Sequence, residues 1–99
     1  MSADAVSLQL FITGDSPNSV KAVARLREFC DEHRHRMPPY EVIDLLKLPH
    51  RALEEGVLIT PTLRVKTDTG IREIIGNLSD SSVLLDVIGK EEHHDSGGA

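Results

Sequence analysis

Leu8-Gln9-Leu10-Phe11-Ile12-Thr13-Gly14-Asp15-Ser16-Pro17-Asn18-Ser19 is the stretch on which the fold turns. Leu8 to Ile12 is an apolar run with the character of a buried strand. Asp15-Ser16-Pro17 then signals a helix start, because serine can cap an N-terminus and proline is tolerated at the first helical position. A strand therefore runs directly into a helix. Further along, Ile59-Thr60-Pro61-Thr62-Leu63 puts a proline inside a strand-like segment, where it removes a ladder donor. Cis costs only about 0.5–1 kcal/mol over trans before proline, so tertiary context can fix a cis Thr60–Pro61 bond, and one is expected in the arrangement reached below.

Working outward, Val6 to Ile12 reads as the first strand and the helix continues to about residue 34. Val20, Val23, Leu26, Phe29 and Cys30 recur along it at helical spacing. Met37-Pro38-Pro39 forbids continuation, and Tyr40 to Leu46 follows as a second strand, parallel to the first. From residue 47 the local signals weaken. Pro49 starts a short helix that Gly56 ends, although Leu48 offers no side-chain cap. Val57 to Lys66 contains a strand interrupted by Pro61, and Thr67-Asp68-Thr69-Gly70 reads as a hairpin turn into Ile71 to Ile75. Ser79 caps a last helix over 80–88, with Leu78 and Val83 at staple spacing and Gly89 as its stop. The order β-α-β-α-β-β-α defines an α/β, thioredoxin-like domain over residues 1–89. Residues 90–99 have little apolar surface to bury and read as a disordered tail.

Composition narrows the function classes. The 99 residues suffice for one core, and a formal net charge of −5 argues against nucleic-acid binding, which calls for a basic surface. No apolar run reaches the roughly 18 residues needed to cross a bilayer, and no signal-peptide pattern opens the chain. The single cysteine, Cys30, allows no internal disulfide and fits a reducing cytoplasm.

In a thioredoxin-like fold, the first strand delivers a C-x-x-C pair to the start of the first helix. Here those two positions are Ser16 and Ser19, whose hydroxyls neither ionise near neutral pH nor exchange disulfides. The plain reading is helix capping; the chemical alternative is a hydroxyl that activates glutathione. Cys30 reads as a small buried hydrophobe. Among the five histidines, His33 and His35 do not share a helix face, and His93 and His94 lie in the tail. Zinc needs four converging ligands, so neither a metal nor a cofactor is expected. Arg25, Arg27, Arg34 and Arg36 make the first helix and its exit locally basic, most simply as a solvated face.

Thr13-Gly14-Asp15-Ser16-Pro17-Asn18-Ser19-Val20-Lys21-Ala22, Val42-Ile43-Asp44-Leu45-Leu46-Lys47, Thr60-Pro61-Thr62-Leu63 and Ile74-Ile75-Gly76-Asn77-Leu78-Ser79-Asp80 together resemble the KaiB family of circadian-clock proteins over about residues 6–80. The resemblance implies a non-enzymatic cytoplasmic protein that docks on a KaiC-type ATPase ring. It also implies competition with a SasA-like kinase and a metamorphic fold. In that family a tetrameric ground state shares only the N-terminal β-α-β half with the thioredoxin-like state, so a dimer or tetramer enters the expectations. The expected partner surface is the polar face of residues 47–56: Lys47, His50, Arg51, Glu54, Glu55 and Gly56. Four departures stand out. Glu41 replaces a lysine that faces KaiA in the family, which argues against KaiA as a partner, and Gly56 replaces a lysine at the end of the second helix. Asp68-Thr69-Gly70 replaces a proline-rich connection, and Asp86-Val87-Ile88 lacks an internal glycine. The last two favour the thioredoxin-like state, in which residues 63–75 form a hairpin.

Overall fold

Alternation along the first strand sets the layers of the molecule: Leu8, Leu10 and Ile12 face one side of a sheet, and Gln9 and Phe11 face the other. The computed structural model describes residues 5–34, 37–80 and Leu84. They form β1 (Ala5–Ile12), α1 (Pro17–Glu32), β2 (Tyr40–Asp44), α2 (Pro49–Glu55), β3 (Thr62–Thr67) and β4 (Gly70–Ile75). The sheet order is β2-β1-β3-β4. β1 lies parallel to β2, with Leu10 opposite Val42, and antiparallel to β3, with Leu10 opposite Leu63. β3 and β4 make the expected hairpin, Leu63 opposite Ile74, closed through Asp68 and Thr69. This is the thioredoxin-like topology.

The two faces are unequally covered. On one, α1 lays Ala22, Leu26 and Phe29 against Leu8, Leu10, Ile12, Leu63, Val65, Leu78 and Leu84 to make the main core. On the other, a small cluster of Phe11, Ile43 and Val57 lies beneath the two-turn α2, with Leu45 beside it. Cys30 packs at the margin of the main core, half-buried.

Several boundaries differ from the sequence expectation for local reasons. α1 ends at Glu32, where the His33 amide turns back to the Phe29 carbonyl and the two rings sit 4.4 Å apart. β2 stops at Asp44 rather than Leu46, because the Asp44 carboxylate accepts the Leu46 N–H at 2.9 Å and bends the chain. The segment over 57–61 is not strand; β3 begins only after the cis Thr60–Pro61 bond. Ser16 occupies the N-cap position of α1, but its hydroxyl caps no backbone amide. Of the expected last helix over 80–88, Asp80 is described and not helical and Leu84 is helical and buried; the rest of it and the tail lie outside the described residues.

The blocks Pro17-Asn18-Ser19 and Ile74-Ile75-Gly76-Asn77-Leu78 meet in space. Asn77 Nδ2 donates to Asn18 Oδ1 at 3.2 Å, the Gly76 amide reaches the Pro61 carbonyl at 2.9 Å, and Leu78 enters the core with φ 63°. Leu10 is fully buried at the centre of this arrangement. Leu10→Ala is expected to cost about 2–5 kcal/mol by chemical denaturation, as truncations of closely packed leucines do.

Candidate functional site

The serine pair lies where β1 meets α1. Ser19 is fully buried, and its Oγ accepts two hydrogen bonds: one from the Thr13 amide at 3.0 Å and one from the Ser16 hydroxyl at 2.8 Å. The Thr13 hydroxyl in turn bonds the Thr60 hydroxyl beside Pro61. The expected capping role thus gives way to a small hydroxyl network that pins the end of β1 to the start of α1 and to the cis-proline loop. Neither serine is paired with a base, and both oxygens are engaged with each other. Burial, then the neighbouring Asp31 carboxylate, push the Cys30 thiol upward and keep it in the unreactive protonated form near neutral pH. Among the described residues no group of three or more His, Cys, Asp or Glu is placed to hold a metal, and no helix is long and apolar enough to cross a membrane.

Asp44 ties this corner to the next loop. Its Oδ1 accepts the Gly14 amide at 3.0 Å and the Leu46 amide at 2.9 Å. These two bonds, with a smaller contribution from Lys47, hold its carboxyl below the usual aspartate value. Gly14 itself has φ 52° and lies so close to Leu46 that a Cβ there would come within 2.7 Å of Leu46 Cδ1. Only glycine fits that conformation and approach at little cost.

α2 follows at once, and the six residues expected to meet a partner divide into two sets. Lys47, His50, Glu54 and Gly56 are exposed. Arg51 and Glu55 are half-buried and engaged internally: Arg51 Nη2 lies 3.3 Å from Glu55 Oε2, and Glu55 Oε1 accepts from Arg64 Nη1 at 3.0 Å. Gly56 closes the helix in a left-handed conformation, φ 68°, and the Val57 amide returns to the Ala52 carbonyl at 3.0 Å. Of the basic set on α1, Arg25 pairs with Glu28 at 3.0 Å and Arg27 is exposed; Arg36 and His35 lie outside the described residues.

What the polar reading of residues 47–56 missed is apolar. Leu53 is 89% exposed and Leu58 95%, and Leu46, Leu48 and Ile59 are also exposed. A groove of about 170 Å³ opens beside them, lined by Val57, Leu58, Ile59, Thr62, Glu73 and Ile75. The signal was present: residues 45–59 carry more Leu, Val and Ile than a two-turn helix can bury. Glu41 lies exposed on β2, an edge strand of the sheet.

These features define a thioredoxin-like scaffold whose reactive corner holds a closed hydroxyl network and whose adjacent helix presents apolar side chains to solvent. Two solved structures share the scaffold. One is oxidized mitochondrial thioredoxin 3 from Saccharomyces cerevisiae, with TM-score 0.65, 16% identity, and 84% of this chain and 76% of that one covered. The other is the N-terminal domain of Synechococcus elongatus SasA, with TM-score 0.61, 20% identity, and 84% and 79% covered. The family model for the KaiB domain matches residues 9–89. The circadian clock oscillator protein KaiB of Trichodesmium erythraeum is 40% identical over 78 residues, 79% of this chain and 75% of that protein. The circadian clock protein KaiB3 of Synechocystis sp. is 35% identical over 85 residues, 86% and 83% of the two chains. The chain belongs to the KaiB family.

The Asp44 bonds make an acid-range prediction. A carboxyl depressed in the folded state contributes stability above its unfolded value of about 4, and that contribution is lost as the pH falls through the folded value. Asp44→Asn is therefore expected to be less stable than wild type at pH 7, with the gap closing below pH ~4. Denaturant melts of both proteins across this range check it; a gap that stays constant contradicts it.

Proposed function

We propose that this chain is a non-enzymatic docking protein of the cytoplasm whose partner is a KaiC-type ATPase ring, regulating its phosphorylation or ATPase cycle or its signalling output. Family membership supplies the partner class, and the exposed apolar side chains of Leu46, Leu48, Leu53, Leu58 and Ile59 carry the reading. Solvent-exposed leucines on one short segment are what a protein partner covers. Lys47, His50, Glu54 and Gly56 form the polar rim of this surface; Arg51 and Glu55 support it from within. A SasA-like kinase is the natural competitor, since the SasA N-terminal domain shares the scaffold. Glu41, acidic and exposed on edge strand β2, opposes KaiA capture. Self-association to a dimer or tetramer is a further expectation for the free chain. The glutathione alternative finds less support: Ser19 is fully buried, and its oxygen already accepts from the Thr13 amide and the Ser16 hydroxyl.

Binding to the KaiC-type ATPase of the same organism, followed by biolayer interferometry, tests the proposal. Leu53→Asp and Leu58→Asp are expected to weaken the complex about ten-fold or more, the scale of a lost interface anchor. Lys47→Glu and Glu54→Lys should act less on affinity and more on the salt dependence of association. Wild-type affinity in both leucine variants, with the fold intact, would refute the placement. Glutathione is expected to leave the melting temperature unchanged.

A further inference from the structure

A seven-residue helix is too short to hold itself, and α2 has few of the usual supports. It has no side-chain cap at Leu48, no acidic residue in its first turn and no buried residue of its own. Something else must fix it on the sheet. Arg64, on β3 beneath it, is only 7% exposed. Its Nη2 donates to the Glu55 backbone carbonyl at 2.7 Å, and its Nη1 to Glu55 Oε1 at 3.0 Å. Its Nε donates to Glu73 Oε2 on β4 at 3.0 Å, with Nη2 2.9 Å from the same oxygen. The guanidinium carbon lies 5.1 Å from the centre of the Phe11 ring. One side chain thus joins the last carbonyl of α2, the neighbouring strand and the aromatic residue of the thinner layer. Arg51 completes the network by engaging the other oxygen of Glu55.

We propose that Arg64 is the positioning residue of the α2 docking surface: it touches no partner, but its planar fork holds the helix at the orientation from which Leu53 projects and from which the chain leads on to Leu58. This rests on the reading that α2 and its flanks dock a partner. The geometry is specific to arginine. A lysine keeps the charge but offers one ammonium, which cannot span Glu55 Oε1, the Glu55 carbonyl and Glu73 together. Rescue by lysine therefore separates a positioning fork from a mere buried charge.

The test pairs hydrogen exchange with binding in Arg64→Lys, with Glu73→Gln as the milder variant should Arg64→Lys fold poorly, and Leu53→Ala as the contact control. In Arg64→Lys, amides of residues 53–57 should exchange about ten-fold faster or more while those of β1 and β3 keep their protection, the signature of local rather than global opening. Affinity for the KaiC-type ATPase should fall by a similar factor. Glu73→Gln should show the same pattern more weakly, whereas Leu53→Ala should lose affinity without altering exchange. Wild-type exchange and affinity in Arg64→Lys would overturn the proposal. So would equal acceleration of α2 and β1, which means general destabilisation. If the wild-type chain does not bind the ring, the docking reading fails, and with it Arg64's role in docking; the exchange result then decides separately whether Arg64 holds the helix.

Discussion

β1 is buried on both faces, but the two layers that cover it are of different thickness, and much of the structure follows from that inequality. On the α1 side a sixteen-residue helix supplies a continuous aliphatic core. On the other side Phe11 needs cover that two turns of α2 cannot provide. Arg64 makes up the difference, its guanidinium over the ring and its donors on Glu55 and Glu73. A cation over an aromatic face contributes about 0.5–2 kcal/mol as it becomes desolvated. Losing one partner of a buried ion network costs more than the network contributes over an apolar packing. The thin layer is held by directional bonds, the thick one by burial.

A second set of directional bonds gathers at one end of the sheet. The exits of β1 and β2 and the entry to β3 are joined there through Asp44, the hydroxyls of Thr13 and Thr60, and the contact of Gly76 with Pro61. In open α/β sheets this carboxyl end of the parallel strands is the usual place for a site. Here the usual contents, a nucleophile and a base, are replaced by bonds between loops. Beside them the leucine-bearing segment lies open to solvent.

Local signals read most of this correctly and failed where structure depends on partners distant in sequence. The Pro17 start of α1, the Gly56 stop of α2, the Thr67–Gly70 turn and the cis-proline segment each carry their own chemistry, so they could be read residue by residue. The β2 boundary could not, because it is set by the Asp44 carboxylate turning onto the Leu46 amide. Arg51 and Glu55 looked like surface charges, since nothing between residues 47 and 56 announces that Arg64 will come to lie beneath them. Leu53 escapes a local reading for the opposite reason: a leucine in a short helix is ordinarily assigned to a core, and only the fold shows that this one, like Leu58 just beyond the helix, has none to enter.

Ser19 shows why thiol chemistry would not easily arise at this corner. Its oxygen is a double acceptor, holding the Thr13 amide and the Ser16 hydroxyl at once. Sulfur is larger and a weak acceptor, so a cysteine at this position would leave the part-buried Thr13 amide poorly partnered before it offered any reactivity. A cysteine at Ser16 alone would have no resolving thiol within the motif. Each single step toward a redox pair is therefore a loss before the second could bring a gain. The hydroxyl network works as a one-way valve, one that keeps the corner as architecture.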